Sequence, residues 1–139
     1  MEVIKVFISG SEKYAPQDFT LWRDEVKDLC MWHDDKLKIL DPLTHFNYHD
    51  KPPKMPRQCS NYFMWLIDQC DVLLVNLDHS YASVGTGCEV QHAFDCHKPI
   101  IGFGTKIKTW YEWTHERCEV IFDTMEEAID YIIEHYCNL

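Results

Sequence analysis

Five short apolar runs recur along the chain, and segments with the spacing of amphipathic helices separate them. The runs span residues 3–8, 37–40, 72–77, 99–103 and 119–122. Each has the length of a strand and is too short to cross a membrane. The helical segments span residues 17–32, 60–69, about 86–97, and the stretch that follows Thr124 with Glu127 in a capping box. Strands that alternate with helices in this way predict a parallel sheet covered on both faces.

The number of these units narrows the fold further. Five βα units in 139 residues predict the α/β class with a flavodoxin-like (Rossmann-like), doubly wound, five-stranded parallel sheet in the order 2-1-3-4-5. The length is typical of one domain, so we expect residues 1–139 to fold as a single unit.

Composition excludes several classes of partner. A formal net charge of −10 at pH 7 argues against a nucleic-acid polymer, because phosphate backbones are bound by basic surfaces. No apolar run approaches the roughly 20 residues of a membrane helix, so we expect no membrane partner. Seven cysteines are an odd number, and no signal peptide precedes the first strand. Together these features predict a reducing, cytoplasmic setting.

The cysteines and eight histidines raise the question of a metal site. No CxxC pair occurs, and no His-x-x-x-His pair lies on a predicted helix. Cys70, Cys88 and Cys96 fall in apolar segments, where a free cysteine behaves as a small hydrophobe. We therefore expect no metal and no cofactor.

The stretch from Asp71 to Glu89, DVLLVNLDHSYASVGTGCE, is the strongest candidate for a functional site. A buried strand leads into a polar turn and then to Gly85 and Gly87, which would let the backbone approach a ligand closely. Glu89 follows in the predicted first turn of a helix, where the helix dipole favours an ionised carboxylate. Such a group could attack a glycosidic carbon as a nucleophile, or it could simply stabilise the first N–H groups of the helix.

Four other segments could contribute to that site. The turn Ser9-Gly10-Ser11 follows the first strand, where open α/β sheets place ligand loops. Residues 43–56 contain prolines and aromatic side chains beside Asn47, and suit either contact with a flat heterocycle or packing over the sheet. Arg23 could reach the site from the first helix, although a solvated surface position is more usual for arginine. The aromatic insertion at 104–117 could be a lid, but a subunit contact is the more typical use.

These motifs resemble those of the nucleoside 2-deoxyribosyltransferase superfamily, which includes the 2′-deoxynucleoside 5′-monophosphate N-glycosidases. The resemblance covers roughly the full length in order and pattern, except for residues 43–57 and 104–117. The matching segments are Ser9-Gly10-Ser11, CDVLLVNLD at 70–78, SVGTGCE at 83–89, Ala93, and His97-Lys98-Pro99-Ile100-Ile101. The resemblance implies that Glu89 attacks the anomeric carbon of the sugar, and that water or a second base then resolves a covalent glycosyl-enzyme.

The resemblance also implies how a nucleotide is held. Transferases that act on free nucleosides usually carry an acidic residue six positions before the glutamate, where this chain has Ser83. A serine at that position is similar to the nucleotide hydrolases, in which it helps to hold the 5′-phosphate, and Ser11 would be a second phosphate contact. We expect the substrate to contact Ser9, Gly10, Ser11, Asn47, Tyr62, Asp78, Ser83, Gly85 and Gly87.

One position departs from the family pattern. The superfamily usually has an aspartate in the second helix, eight residues before the position of Asp71, and this chain has Phe63 there. Tyr62 could supply a hydroxyl instead, or the catalysis could be altered or lost. Another acid could also substitute, and the available ones are Asp41, Asp50, Asp68 and Asp78.

Three functions are consistent with these patterns. The first is an N-glycosidase that releases the base from a (deoxy)nucleoside 5′-monophosphate. The second is a nucleoside 2-deoxyribosyltransferase that exchanges bases between deoxynucleosides, and the third is a catalytically silent nucleotide-binding protein. The resemblance further implies a homodimer or larger homo-oligomer, in which a neighbouring subunit completes the site.

Overall fold

A computed structural model of the chain describes residues 2–11, 21–46, 51–78, 80, 83–104 and 113–138. The strands in these ranges are β1 (Ile4–Ser9), β2 (Leu37–Leu40), β3 (Val72–Asn76), β4 (Ile100–Phe103) and β5 (Val120–Phe122). The helices are α1 (Trp22–Met31), α2 (Pro56–Gln69), α3 (Val84–Asp95), α4 (Trp113–Arg117) and α5 (Met125–Ile132). A 3-10 turn (Pro42–Thr44) follows β2, and a π-helical turn (Ile133–Cys137) follows α5.

The five strands form one parallel sheet in the order β2-β1-β3-β4-β5. This order confirms the predicted flavodoxin-like, doubly wound architecture. β3 lies at the centre, where Val75 is the partner of Ser9 on β1 and of Gly102 on β4. The carboxyl ends of β1 and β3 are therefore neighbours, and this is the edge of the sheet where the fold places ligands.

Side chains of the central strands alternate between two apolar cores. Ile8 and Leu74 lie in the core that α1 and α5 cover. Phe7 and Leu73 lie in the core that α2 and α3 cover. All four side chains are fully buried. Because the sheet is covered on both faces, its strands are continuous apolar runs rather than alternating ones, as the sequence predicts.

Two helices begin earlier than predicted. α2 starts at Pro56 rather than Ser60, because proline fits the first position of a helix, where its missing N–H has no partner in any case. Gln58 accepts hydrogen bonds from the backbone N–H groups of Lys54 and Met55 and so fixes this start. α3 starts at Val84 rather than near residue 86, so its first turn includes residues for which the sequence predicts a turn.

The remaining helices agree with prediction in part. α1 ends one residue before the predicted boundary, and residues 17–20 of its predicted start lie outside the described ranges. Thr124 caps α5 by accepting from the N–H of Glu127, as predicted. The Glu127 carboxylate accepts from the Thr124 hydroxyl. In a capping box it would instead accept from the backbone N–H of Thr124. A short helix, α4, ends the predicted aromatic insertion.

The membrane expectation depends on helix length and apolarity. Among the described residues, every helix is too short or too polar to reach across a bilayer.

Candidate active site

Glu89 lies in the second turn of α3, as its sixth residue, rather than in the first turn as predicted. Its side chain is only 7% exposed. Side chains on a helix lean toward its N-terminus, so the carboxylate points back to the sheet edge where β1 ends. There its Oε1 accepts a 2.7 Å hydrogen bond from Ser9 Oγ. The two motifs that the sequence singled out, one on β1 and one before α3, therefore meet at one carboxylate.

Gly85 and Gly87 are both helical residues, whereas the sequence predicts a helix start near residue 86 and so places Gly85 before the helix. A Cβ atom at either position would meet nothing within 4 Å. Glycine costs a helix about 1 kcal/mol relative to alanine, and the two glycines lie on different sides of α3, since residues two apart on a helix do not share a face. Gly85 borders the cavity described below, so the absence of a side chain there leaves room for a ligand beside Glu89, whereas Gly87 lies on the side of α3 near Trp113 and Arg117.

Ser83 is the N-cap of α3. Its Oγ accepts from the N–H of Thr86 at 3.1 Å and lies 2.8 Å from Thr86 Oγ1. This arrangement satisfies one of the unpaired N–H groups of the first turn. The N-terminus of α3 and its two hydroxyl groups line the same cavity as Glu89, which makes this end suitable for an anionic group.

The turn after β1 is packed closely around Gly10. A Cβ atom there would lie 2.6 Å from Cζ2 of Trp22 and 3.4 Å from Cβ of Asn76. Only glycine fits this position, and its backbone lines the cavity. Ser11 is fully buried, and its hydroxyl has no hydrogen-bond partner among the described residues. The described lining of the cavity includes Gly10 but neither Ser9 nor Ser11, so a direct phosphate contact by Ser11 stays a prediction.

Arg23 is buried, with 4% of its surface exposed. The expectation of a solvated surface arginine is therefore wrong. Its guanidinium donates to the carbonyl oxygens of Ile8 (3.3 Å) and Gly10 (3.2 Å). It also pairs with Asp41 at 3.0 Å, and Lys27 pairs with the other oxygen of that carboxylate at 2.7 Å. Arg23 therefore fixes the backbone of the turn that carries Ser9.

A cavity of about 890 Å³ lies between α2, α3 and the segment after β2. This volume is within the range of small-molecule sites and suits a nucleotide. Its described lining consists of Gly10, Arg23, Pro42, Leu43, Phe46, Pro53, Met55, Pro56, Arg57, Cys59, Ser60, Asn61, Phe63, Met64, Ser83, Val84, Gly85, Thr86, Cys88 and Glu89. One wall is apolar, around Phe63 and Met64, and suits a base, whereas the opposite wall carries the hydroxyl groups of α3.

Of the nine predicted substrate contacts, only Gly10, Ser83 and Gly85 belong to the described lining of the cavity. Gly87 lies on another side of α3. Tyr62 packs among aromatic rings, with centroid distances of 5.3 Å to His45 and 6.3 Å to Trp65, and is not part of the cavity lining. Asp78 lies beside Gly104 at the carboxyl end of β4 and is likewise absent from the described lining. Asn47 lies outside the described residues.

Phe63 lines the cavity. The acids considered as replacements for the family aspartate are absent from the described lining of the cavity. Asp41 is engaged by Arg23 and Lys27. Asp68 lies on the outer surface with His92. Asp50 lies outside the described residues. Glu89 is thus the one carboxylate in the described lining of the cavity.

Sequence reasoning missed the contribution that residues 57–64 of α2 make to the cavity. Arg57, Ser60, Asn61 and Met64 all line the cavity, and their spacing of three and four residues marks one face of a helix. This spacing is a signal in the sequence, but the prolines up to Pro56 predict an irregular segment and so conceal the start of α2.

The sequence profile of the nucleoside 2-deoxyribosyltransferase family matches residues 6–131. The chain belongs to this family. The match includes the turn after β1, α2 and the whole of α3, which are the elements that surround Glu89.

Solved structures share the fold of this deoxyribosyltransferase-family protein. A conserved protein from Enterococcus faecalis V583 has a TM-score of 0.76 at 12% sequence identity, over 96% of this chain and 99% of its own. The CMP N-glycosidase BcmB of Clostridium botulinum has a TM-score of 0.56 at 18% identity, over 95% of this chain and 99% of its own. A search of curated protein sequences found no significant match.

Proposed function

We propose that this protein hydrolyses the N-glycosidic bond of a nucleoside 5′-monophosphate, with Glu89 as the nucleophile. The observation that carries the proposal is the buried Glu89 carboxylate, which Ser9 orients and which lines a cavity of nucleotide size. Membership of the nucleoside 2-deoxyribosyltransferase family supports glycosidic chemistry at this position.

The reaction proceeds in two displacements. A carboxylate oxygen of Glu89 forms an ester bond to the anomeric carbon, while the bond from that carbon to the base nitrogen breaks and its electron pair leaves with the base. The departing base takes a proton from solvent. Water then attacks the same carbon and loses a proton to solvent, the ester bond to Glu89 breaks and regenerates its carboxylate, and a sugar phosphate leaves. Ser9 holds Oε1 throughout, so the carboxylate keeps one orientation in both steps.

The phosphate end of the substrate belongs at the N-terminus of α3. Ser83 and Thr86 supply hydroxyl groups there, and the first-turn N–H groups carry the positive end of the helix dipole. Arg57, exposed at the start of α2, lines the same cavity and supplies a positive charge. The similar structure that is named a CMP N-glycosidase supports a monophosphate as the class of substrate.

A second candidate is a protein that binds a nucleotide without cleaving it. The observation that favours it is Phe63, which lines the cavity at the position where the family usually has an aspartate. The family match also leaves base exchange between nucleosides as a third outcome. Ser83 argues against exchange, because it replaces the acid that resemblance associates with transferases of free nucleosides.

Product analysis by chromatography across a panel of nucleoside monophosphates and nucleosides distinguishes the hydrolase, the binding protein and the transferase. Each substrate is incubated with and without a second free base. The proposal predicts free base and sugar phosphate whether or not the second base is present. A new nucleoside that forms only with the second base would identify a transferase, and an intact nucleotide after prolonged incubation would identify a binding protein.

We also propose a homo-oligomer in a reducing, cytoplasmic setting. Trp113 and Val84 are 73% and 79% exposed, and Arg117 stacks on Trp113 and Phe94 beside them. Exposed aromatic and aliphatic side chains of this kind are typical of subunit contacts. All seven cysteines are free thiols, which fits a reducing compartment. Light scattering of the purified chain tests the oligomer, and a monomer at micromolar concentration would contradict it.

A further inference from the structure

Three potential metal ligands meet on the outer surface of α2 and α3, at the ends of these helices opposite the cavity. Asp68 lies in the last turn of α2, His92 lies in the last turn of α3, and Cys96 directly follows α3. His92 and Cys96 are four residues apart, so they lie on the same face of the helix. The cavity, by contrast, is lined by residues between 56 and 64 of α2 and by the first half of α3.

The ligand atoms converge on one point. Nε2 of His92 lies 2.8 Å from Oδ1 of Asp68, and Sγ of Cys96 lies 3.7 Å from Oδ1 and 3.8 Å from Nε2. In a tetrahedral zinc site with bonds of about 2.0–2.3 Å, neighbouring ligand atoms lie about 3.3–3.6 Å apart. The three atoms therefore need to move by only a few tenths of an ångström around an ion.

A catalytic triad does not account for this geometry, and a surface ion pair is the alternative to a metal site. A Cys-His-Asp triad needs the two ring nitrogens of histidine to contact different partners. Here the carboxylate and the thiol both contact Nε2, so the imidazole cannot relay a proton between them. An ion pair between His92 and Asp68, with the Cys96 thiol donating to the carboxylate, uses the same contacts without an ion, and the titration below separates this alternative from a metal site.

We propose that Asp68, His92 and Cys96 bind a divalent transition-metal ion of the zinc type, with water completing its coordination. A sulfur, a nitrogen and an oxygen ligand form a set that zinc accepts and that calcium and magnesium do not. On binding, the Cys96 thiol releases its proton to solvent as its sulfur bonds to the ion. Such an ion would join α2 to α3, the two helices that form the cavity walls. This differs from the expectation of no metal, which relied on sequence motifs and could not reveal a ligand set shared by two helices.

The surroundings of the three groups are compatible with an ion. The Asp68 and His92 side chains are 49% and 31% exposed, so an ion can reach them from solution. Lys98 is also near, and its ammonium group is held by the backbone carbonyl of Asp68 at 3.3 Å.

Titration of the reduced full-length protein with zinc and with cobalt tests the proposal. Calorimetry is expected to show one zinc ion per chain, and cobalt to show the absorption band of a thiolate-to-metal charge transfer. Cys96→Ser should abolish that band. Cys96→Ser and His92→Ala should each weaken binding by more than the roughly 10- to 100-fold that loss of an outer contact costs.

Two matched controls make the result specific. Cys59→Ser removes a thiol near the opposite end of α2, and Asp95→Asn removes a carboxylate next to Cys96 but outside the cluster. Both controls should bind zinc as the wild type does, and zinc should raise the melting temperature of the wild type but not of His92→Ala. The proposal is overturned if neither ion binds, or if Cys96→Ser and His92→Ala bind both ions as tightly as the controls. The outcome does not depend on any role of Glu89.

Discussion

Ser9 Oγ donates a 2.7 Å hydrogen bond to Oε1 of Glu89 and so connects the end of β1 to the second turn of α3. Both side chains are buried. A hydrogen bond to a charged group contributes about 1.5–3 kcal/mol, and here it fixes the orientation of the proposed nucleophile.

We therefore expect Ser9→Ala to lower kcat for a nucleoside monophosphate by about 10- to 100-fold, while the fold is retained. Steady-state kinetics and circular dichroism measure the two effects. Ser80→Ala is the control, because it removes another buried hydroxyl that is absent from the described cavity lining. A Ser9→Ala enzyme with the kcat of the wild type would contradict the orienting role.

Arg23 and Asp41 form a buried ion pair that supports the turn after β1. Arg23→Met should destabilise the protein by about 3–5 kcal/mol, because it leaves the Asp41 carboxylate buried with Lys27 as its remaining cation. Urea unfolding measures this loss. The double variant Arg23→Met/Asp41→Leu should recover part of it, since no buried charge then remains unpaired and the Lys27 ammonium, whose side chain is 39% exposed, is solvated. If the double variant loses more free energy of unfolding than the two single variants together, Arg23 and Asp41 do not stabilise each other.

Ser83→Asp tests the proposed phosphate end without removing the helix cap, since aspartate caps a helix as well as serine does. The added negative charge should raise KM for a monophosphate and leave KM for the matching nucleoside nearly unchanged. Ser83→Ala is the complementary variant, and it should cost about 1 kcal/mol of stability through loss of the cap. An equal rise of KM for both ligands in Ser83→Asp would remove the phosphate role.

Two buried thiols, Cys30 and Cys70, and the half-buried thiol of Cys118 predict a loss of stability at alkaline pH. Burial raises the pKa of Cys118 to about 12, and raises the pKa values of Cys30 and Cys70 to about 11. In the unfolded chain these thiols ionise near their ordinary value of 9.0, whereas in the folded protein they stay neutral. Their contribution is therefore fully present below about pH 9 and is lost as pH rises toward the folded values.

Between about pH 8 and pH 10.5, the free energy of unfolding should fall by ~2 kcal/mol less in Cys118→Ala than in the wild type. Urea titrations at the two pH values measure this difference, which does not depend on the constant effect of the lost side chain. Equal losses of free energy in wild type and variant over that interval would show that Cys118 is not responsible.

The sheet could be predicted from sequence because burial on both faces leaves a direct signal. β3, for example, is five residues long and wholly buried, so its sequence is one nearly uninterrupted apolar run. The strand order was then predicted because five βα units of this size fit the flavodoxin-like order.

The starts of helices, and contacts between residues far apart in the chain, leave weaker signals in the sequence. The low helix propensity of Gly85 predicts a helix start near residue 86, but a good N-cap at Ser83 and the packing of α3 place the start at Val84. Pro56 is typical of a helix breaker and is nevertheless favourable at the first helical position. The burial of Arg23 could not be predicted, because its partners are backbone carbonyls and Asp41, which only the folded chain brings near it.

The central claim is that Glu89 forms the covalent bond to the sugar, and Glu89→Gln tests it most directly. Glutamine has nearly the same shape and can still accept from Ser9, so the fold and nucleotide binding should persist. Release of base from a monophosphate, followed by chromatography, should fall to the uncatalysed rate, while calorimetry should show a nucleotide affinity near that of the wild type. Base release by Glu89→Gln at the wild-type rate would contradict the assignment of the nucleophile.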